Sequence, residues 1–116
     1  GIGVTPPGNN TTPYLLYVEG GIMTRDVKVT AATVFPDYVF AKDYELMGIY
    51  ELEKYIKHNN HLPDMPSAKE VESNEGFEVG NMQTKLLKKI EEQTLYIISL
   101  QKQVDELKEL VYRTKK

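Results

Sequence analysis

Residues 81–116 read NMQTKLLKKIEEQTLYIISLQKQVDELKELVYRTKK, a stretch without glycine or proline. Nothing in it breaks a helix, and a single helix of roughly 33 residues, about 50 Å at a rise of about 1.5 Å per residue, is predicted. One helix of that length cannot wrap a small head. With Ile90 at heptad position a, Ile97, Val104 and Val111 fall at the following a positions, while Leu86, Gln93, Leu100 and Leu107 fall at d. Apolar side chains spaced about every 3.5 residues over roughly four heptads form a coiled-coil seam. Leu86, Ile90, Gln93, Ile97, Leu100, Val104, Leu107 and Val111 are therefore the expected oligomer interface. Leu87, Leu95 and Ile98 lie off the seam, so the head is expected to cover part of the first half of the helix and to leave the seam beyond about Leu100 bare.

The number of strands in the coil stays open at this level. β-Branched residues at a with Leu at d favour two parallel strands. Against that, Leu87 at e and Tyr96 and Leu110 at g widen the apolar stripe, which three strands bury more deeply. The flanking positions carry Lys89, Tyr96, Gln103, Thr94, Gln101 and Lys108, which form no interhelical salt bridges among themselves. Gln93 reads as a tolerated polar residue, with a register-fixing amide layer as the sharper alternative.

Upstream, Pro6, Pro7, Gly8, Asn9, Asn10 and Pro13 predict an extended arm over residues 1–13. Residues 14–18 and 22–30 read as short strands on either side of a Gly20-Gly21 turn, marginal alone and in need of another element or chain. Phe35, Tyr38, Val39, Phe40 and Tyr44 form the densest aromatic cluster and the expected centre of the head. Ile49, Leu52, Tyr55 and Ile56 recur at helical spacing to about His58, and Asn59-Asn60 ends that helix. Pro63 and Pro66 hold residues 61–66 extended, Ser67 with Glu70 opens a short helix to about Ser73, and Gly76 and Gly80 break the chain around Phe77 and Val79. The expected fold class is α+β. Residues 1–30 form an extended arm and β-strand shaft end, 31–80 a small α+β head, and 81–116 the long helix of a parallel coiled coil.

Composition bounds the function. The chain has 116 residues, 41% hydrophobic and 27% charged, with the charge concentrated towards the C-terminus, which gives a folded head and a solvated helical tail. A net charge of −3 without a basic, aromatic-lined groove argues against nucleic acid. The absence of cysteine removes disulfides, thiolate metal sites and cysteine nucleophiles. No apolar run approaches the roughly 18 residues of a membrane span. The chain opens at Gly1 rather than Met, and a leader or a long shaft is expected upstream. His58, His61 and Asp64 have a spacing that would suit metal only if the helix continued through Pro63, so no metal site is expected and His61 is assigned to a backbone hydrogen bond. Glu91-Glu92 and Asp105-Glu106 sit at outer heptad positions and read as solvated charge rather than a glycosidase pair. The tyrosines read as packing ahead of a sugar-binding surface. No cofactor is expected.

Residues 1–3 (GIG), the Pro-containing arm and residues 14–22 (YLLYVEGGI) resemble the shaft repeat of bacteriophage tail fibres and of large fibrous surface proteins of Gram-negative bacteria. The stretches 25–29, 37–40, 44–46, 55–57, 61–63, 66–67 and 86–98 resemble the C-terminal domain that often follows that repeat. The chain is also distantly similar to the intramolecular chaperone that ends endosialidase-type tail spikes, which trimerises its fibre and then cuts itself off at a serine. The resemblance implies a homotrimer that registers and locks a fibre, on a virion, an injection device or a cell surface, as a structural protein or part of an adhesin. The alternative it implies is a receptor- or glycan-binding tip, with the aromatic segment 35–44 as the contact. Self-cleaving members carry a Ser-Asp pair with a nearby Lys. Here the stretch is Thr24-Arg25-Asp26-Val27-Lys28, which lacks the serine and separates Thr24 from Asp26, so an enzyme is not expected.

Overall fold

The computed structural model describes residues 14–30 and 35–115; the arm expected over 1–13 lies outside them. The described part is mostly helical, with no sheet. A 3₁₀ helix at Pro36–Phe40 is followed by α1 (Ile49–Asn59), α2 (Ala68–Ser73) and α3 (Val79–Thr114). The radius of gyration is 21.4 Å, against about 13 Å for a compact chain of this length. Its 77 Å long dimension reflects the 36-residue α3, which runs well past the head.

The α+β class and the strand arm are overturned. A two-residue hairpin turn of the kind Gly-Gly serves needs positive φ at one or both glycines, and neither Gly20 nor Gly21 has it. Residues 18–30 are exposed throughout, and only Leu16 makes an isolated bridge. Local bonds take the place of pairing: Asp26 Oδ1 accepts from Val27 N–H at 2.8 Å, and Thr24 Oγ1 donates to the Asp26 carbonyl at 3.1 Å. With no layer among the described residues to cover them, two short strands have too little burial to offset their ordering entropy.

The helices form for reasons carried in their ends. In α1, Asn60 adopts φ +60° and returns its N–H to the Ile56 carbonyl at 2.8 Å, the left-handed stop that Asn tolerates. In α2, Ser67 Oγ accepts from Glu70 N–H at 3.1 Å. A Schellman motif ends α2: Glu75 takes φ +58°, its N–H reaches the Glu72 carbonyl, and Gly76 N–H reaches Val71 O at 2.9 Å. Between α1 and α2 the chain turns instead of staying extended. Met65 N–H reaches the Leu62 carbonyl at 3.3 Å across Pro63 and Asp64, with Asp64 at φ +62°, the positive angle that a type II turn needs after proline.

Gly80 does not break the chain; it lies in the first turn of α3. A Cβ there would come 2.5 Å from Val29 Cγ1, so glycine lets the extended segment cross the helix closely. The head is seated on α3 through the 3₁₀ helix, whose Val39 and Pro36 are its most buried side chains. Phe35, Tyr38 and Phe40, expected at the centre, are exposed, although the Tyr38 ring still packs against Tyr44 and Lys88. Proline suits the first position of such a helix because it has no N–H to leave unpaired. Val39→Ala removes two buried methyl groups, about 1.6 kcal/mol before any cavity term. Its expected outcome is a lower urea midpoint for the head with most helical circular dichroism retained; an unchanged midpoint would contradict Val39 as the seat.

Candidate assembly interface

α3 presents two unlike faces. At 100° per residue, Lys88, Glu91, Glu92 and Leu95 lie on the far side from Ile90, and this is the side the head covers. Leu95 is half-buried there and Leu87 is half-buried beside the seam, about 60° from Ile90, as expected for apolar residues off the seam, whereas Ile98 is exposed. The head's cover ends near Tyr96, and every described residue from Ile97 onward is exposed.

The predicted interface residues all lie on the uncovered face. Leu86 and Val104 are 43% exposed and Ile97 is 64% exposed, with Ile90, Leu100, Leu107 and Val111 between those bounds. Gln93 is exposed with them. Beyond the head, polar side chains pair along the other faces: Gln101 Nε2 with Asp105 Oδ1 at 2.9 Å, Gln103 with Ser99 at 3.2 Å, and Arg113 with Glu109 at 2.5 Å. Such pairs stabilise a helix by roughly 0.2–0.5 kcal/mol each. They leave the seam unsatisfied.

Acid–base contacts hold the head to α3. Lys88 Nζ donates to Asp64 Oδ2 at 2.9 Å and lies 5.8 Å from the Tyr38 ring centroid. Lys89, only 8% exposed, lies between Glu92 at 3.2 Å and Asp64 at 3.7 Å. The hydrogen bond from Lys88 draws the Asp64 carboxyl below the ordinary range. Burial works most strongly against the Lys88 ammonium, but its hydrogen bond to Asp64, with the charge interactions of Asp64, Tyr44 and Tyr38 added, holds it above the ordinary value. Tyr96 Oη donates to the Met47 carbonyl at 2.5 Å and so ties the entry of α1 to the helix. His61 Nδ1 is 2.9 Å from the Leu62 carbonyl, with the ring edge-on to Tyr55, so this histidine serves the turn as expected.

Of the carboxylates read as solvated, Asp105 and Glu106 are exposed. Glu91 and Glu92 are not. Glu91 is 7% exposed and its Oε2 has no hydrogen-bond partner; Glu92 is half-buried against Lys89. Their outer heptad positions face the head in this half of the helix. Burial, and next the carboxylate of Asp37 from the first turn of the 3₁₀ helix, push the Glu91 carboxyl up. Neither Glu91 nor Lys89 was marked as a head contact in the sequence. For Glu91 the signal was its place on the stripe of the half-buried Leu95, four residues on, since residues three and four apart share a helix face; Lys89, six residues before Leu95, had no such signal.

A raised folded-state value makes Glu91 bind its proton more tightly in the folded chain, so stability falls as pH rises from the ordinary glutamate range, about 4.3, through the raised value. Asp64 acts in a separate, more acidic window: its contribution is present above about 3.9 and is lost as pH falls through its lowered value. Glu91→Gln keeps the shape and removes the charge. Thermal melts across pH 4.5–8 are expected to show a higher melting temperature for Glu91→Gln at the upper end and a flatter profile than the parent. A variant less stable than the parent at pH 8 would refute the assignment.

Among the described residues no helix is long and apolar enough to cross a membrane. Comparison with protein-family models, with curated proteins and with solved structures returns no match.

Proposed function

We propose that this chain is an assembly module whose α3 helices associate in parallel, side by side, to register and lock identical chains. One observation carries the reading: a single helix presents a complete heptad seam, from Leu86 to Val111, that its own head leaves bare. Helical stability in proteins comes mainly from packing an apolar face. Among the described residues, the half of α3 beyond Tyr96 has no such packing. A repeat of apolar residues about every 3.5 positions is complementary to another helix carrying the same repeat, and a second copy supplies one.

The proposed stoichiometry is three chains, which rests on the resemblance to trimeric fibres and on the widened stripe at Leu87, Tyr96 and Leu110. On the same resemblance the module closes the C-terminal end of a tail-fibre-like or bacterial surface fibre outside the cell. Local, repetitive contacts in the coil form early in folding. Tethering then raises the effective concentration of whatever lies upstream. The second reading, a receptor- or glycan-binding tip, draws on the exposed rings of Phe35, Tyr38 and Phe40. Glycan arrays probed with the purified chain separate the two, because an assembly module without that role binds no glycan.

Val104→Asp with Leu107→Asp places like charges from each chain against one another in adjacent layers. The lost burial alone is about 1.5–3 kcal/mol per side chain. Light scattering after gel filtration is expected to give an oligomer for the parent, three chains by preference, and a monomer for the double variant. Glu106→Ala on the outer face leaves the oligomer intact. A monomeric parent, or a double variant that keeps its oligomeric mass, would overturn the reading.

A further inference from the structure

An apolar groove of about 340 Å³ runs between α1 and α3, lined by Ile49 and Leu52 on one wall and by Tyr96 and Ile97 on the other, with Leu62 and Pro63 closing one side. Gln93 and Ile97 belong to this groove and to the heptad seam at once. Ile49 is 51% exposed at its edge. The groove is therefore a widening of the seam on its g side, where Lys89 and Tyr96 stand. An interface restricted to α3 would leave Ile49 wet beside a buried layer.

We infer that the groove is a docking site for the α3 helix of a second copy of this chain, so that α1 forms part of the interface. This rests on the assembly reading above. In a parallel coil, a g residue faces the e residue of the next heptad on the neighbouring helix. Lys89 then faces Thr94 of the second copy, and Tyr96 faces its Gln101. Tyr96 is bonded to Met47, two residues before Ile49, which brings the second copy's Gln101 alongside Ile49. The occupant is another copy because the groove is continuous with a seam in heptad register. Its neighbouring e positions, Thr94 and Gln101, are uncharged and enter an apolar trough without stranding a charge. The head is thereby fixed in azimuth against the bundle and does not swing about α3.

Two variants of the full chain test this. Ile49→Asp places a carboxylate at the first residue of α1, where the helix dipole favours it, so α1 itself is not weakened. Its expected effect is to raise the dissociation constant of the oligomer by about tenfold or more, read by sedimentation across a concentration series, with helical circular dichroism unchanged. The parent chain contains no cysteine, so Ile49→Cys with Gln101→Cys gives a clean cross-link. Mixed isotopically light and heavy chains are expected to form a heavy–light disulfide after mild oxidation. The inference is overturned if Ile49→Asp assembles like the parent and no interchain disulfide forms, while Val104→Asp with Leu107→Asp is monomeric. That pattern leaves the seam reading standing. Should the seam variant also stay assembled, the assembly reading fails and this inference with it.

Discussion

Val39 pressed against α3 determines which part of the helix circumference belongs to the chain itself and which is left over. A small residue on a short 3₁₀ helix makes a narrow seat, and beside the half-buried Leu87 and Leu95 stand polar contacts: Lys88 on Asp64, Lys89 between Asp64 and Glu92, Tyr96 on the Met47 carbonyl. The head therefore rides on the polar side of an amphipathic helix. In most small domains the apolar stripe turns inward and the charged side faces water. Here the order is inverted over the first half of α3, and the apolar stripe is the one left open.

That inversion has a cost in stability that the chain carries at Glu91. A carboxylate with one oxygen buried and unpaired, beside a second carboxylate, is an unfavourable thing to place under a head. A lysine as deeply buried stands two residues back at Lys89, but it is committed to Glu92 and Asp64 and leaves Glu91 uncompensated. The docking of the head is accordingly weak as a structural device. Asp64 remains open to water, so its ion pair with Lys88 contributes at most about 1 kcal/mol. Among the described residues, the apolar stripe of α3 lies in solvent.

The helices were legible in the sequence because each has local signals. Periodicity marked α1, Ser67 and Glu70 marked the start of α2, and the run without glycine or proline marked α3. The strands were misread because the residues at 14–18 and 22–30 have β character without a partner layer, and propensity in strands reflects packing against neighbours rather than a backbone preference. Gly80 was misread as a breaker for want of knowing that Val29 lies across it; a glycine required for close approach looks the same in sequence as one that ends a helix. Of the candidate interface, the exposed heptad stripe was legible, since one period fixes which residues share that face. The groove was not, because it depends on where α1 lands relative to α3, and no local pattern encodes that distance.

The residues at the change between the two halves of α3 tie these features together. Gln93 and Ile97 line the groove against α1 and also occupy successive d and a layers. Just before Ile97, Tyr96 fixes the entry of α1 by its bond to the Met47 carbonyl, and just after it the helix runs free. A helix that packs on the seam at this level meets α1 whether or not α1 contributes energy. In the proposed bundle, the angular position of the head would thus be coupled to the packing of the helices through a few side chains. In a bundle of parallel copies, each head would be held at the same height and the same azimuth, and that is what an element must do if it is to set the register of the chains above it.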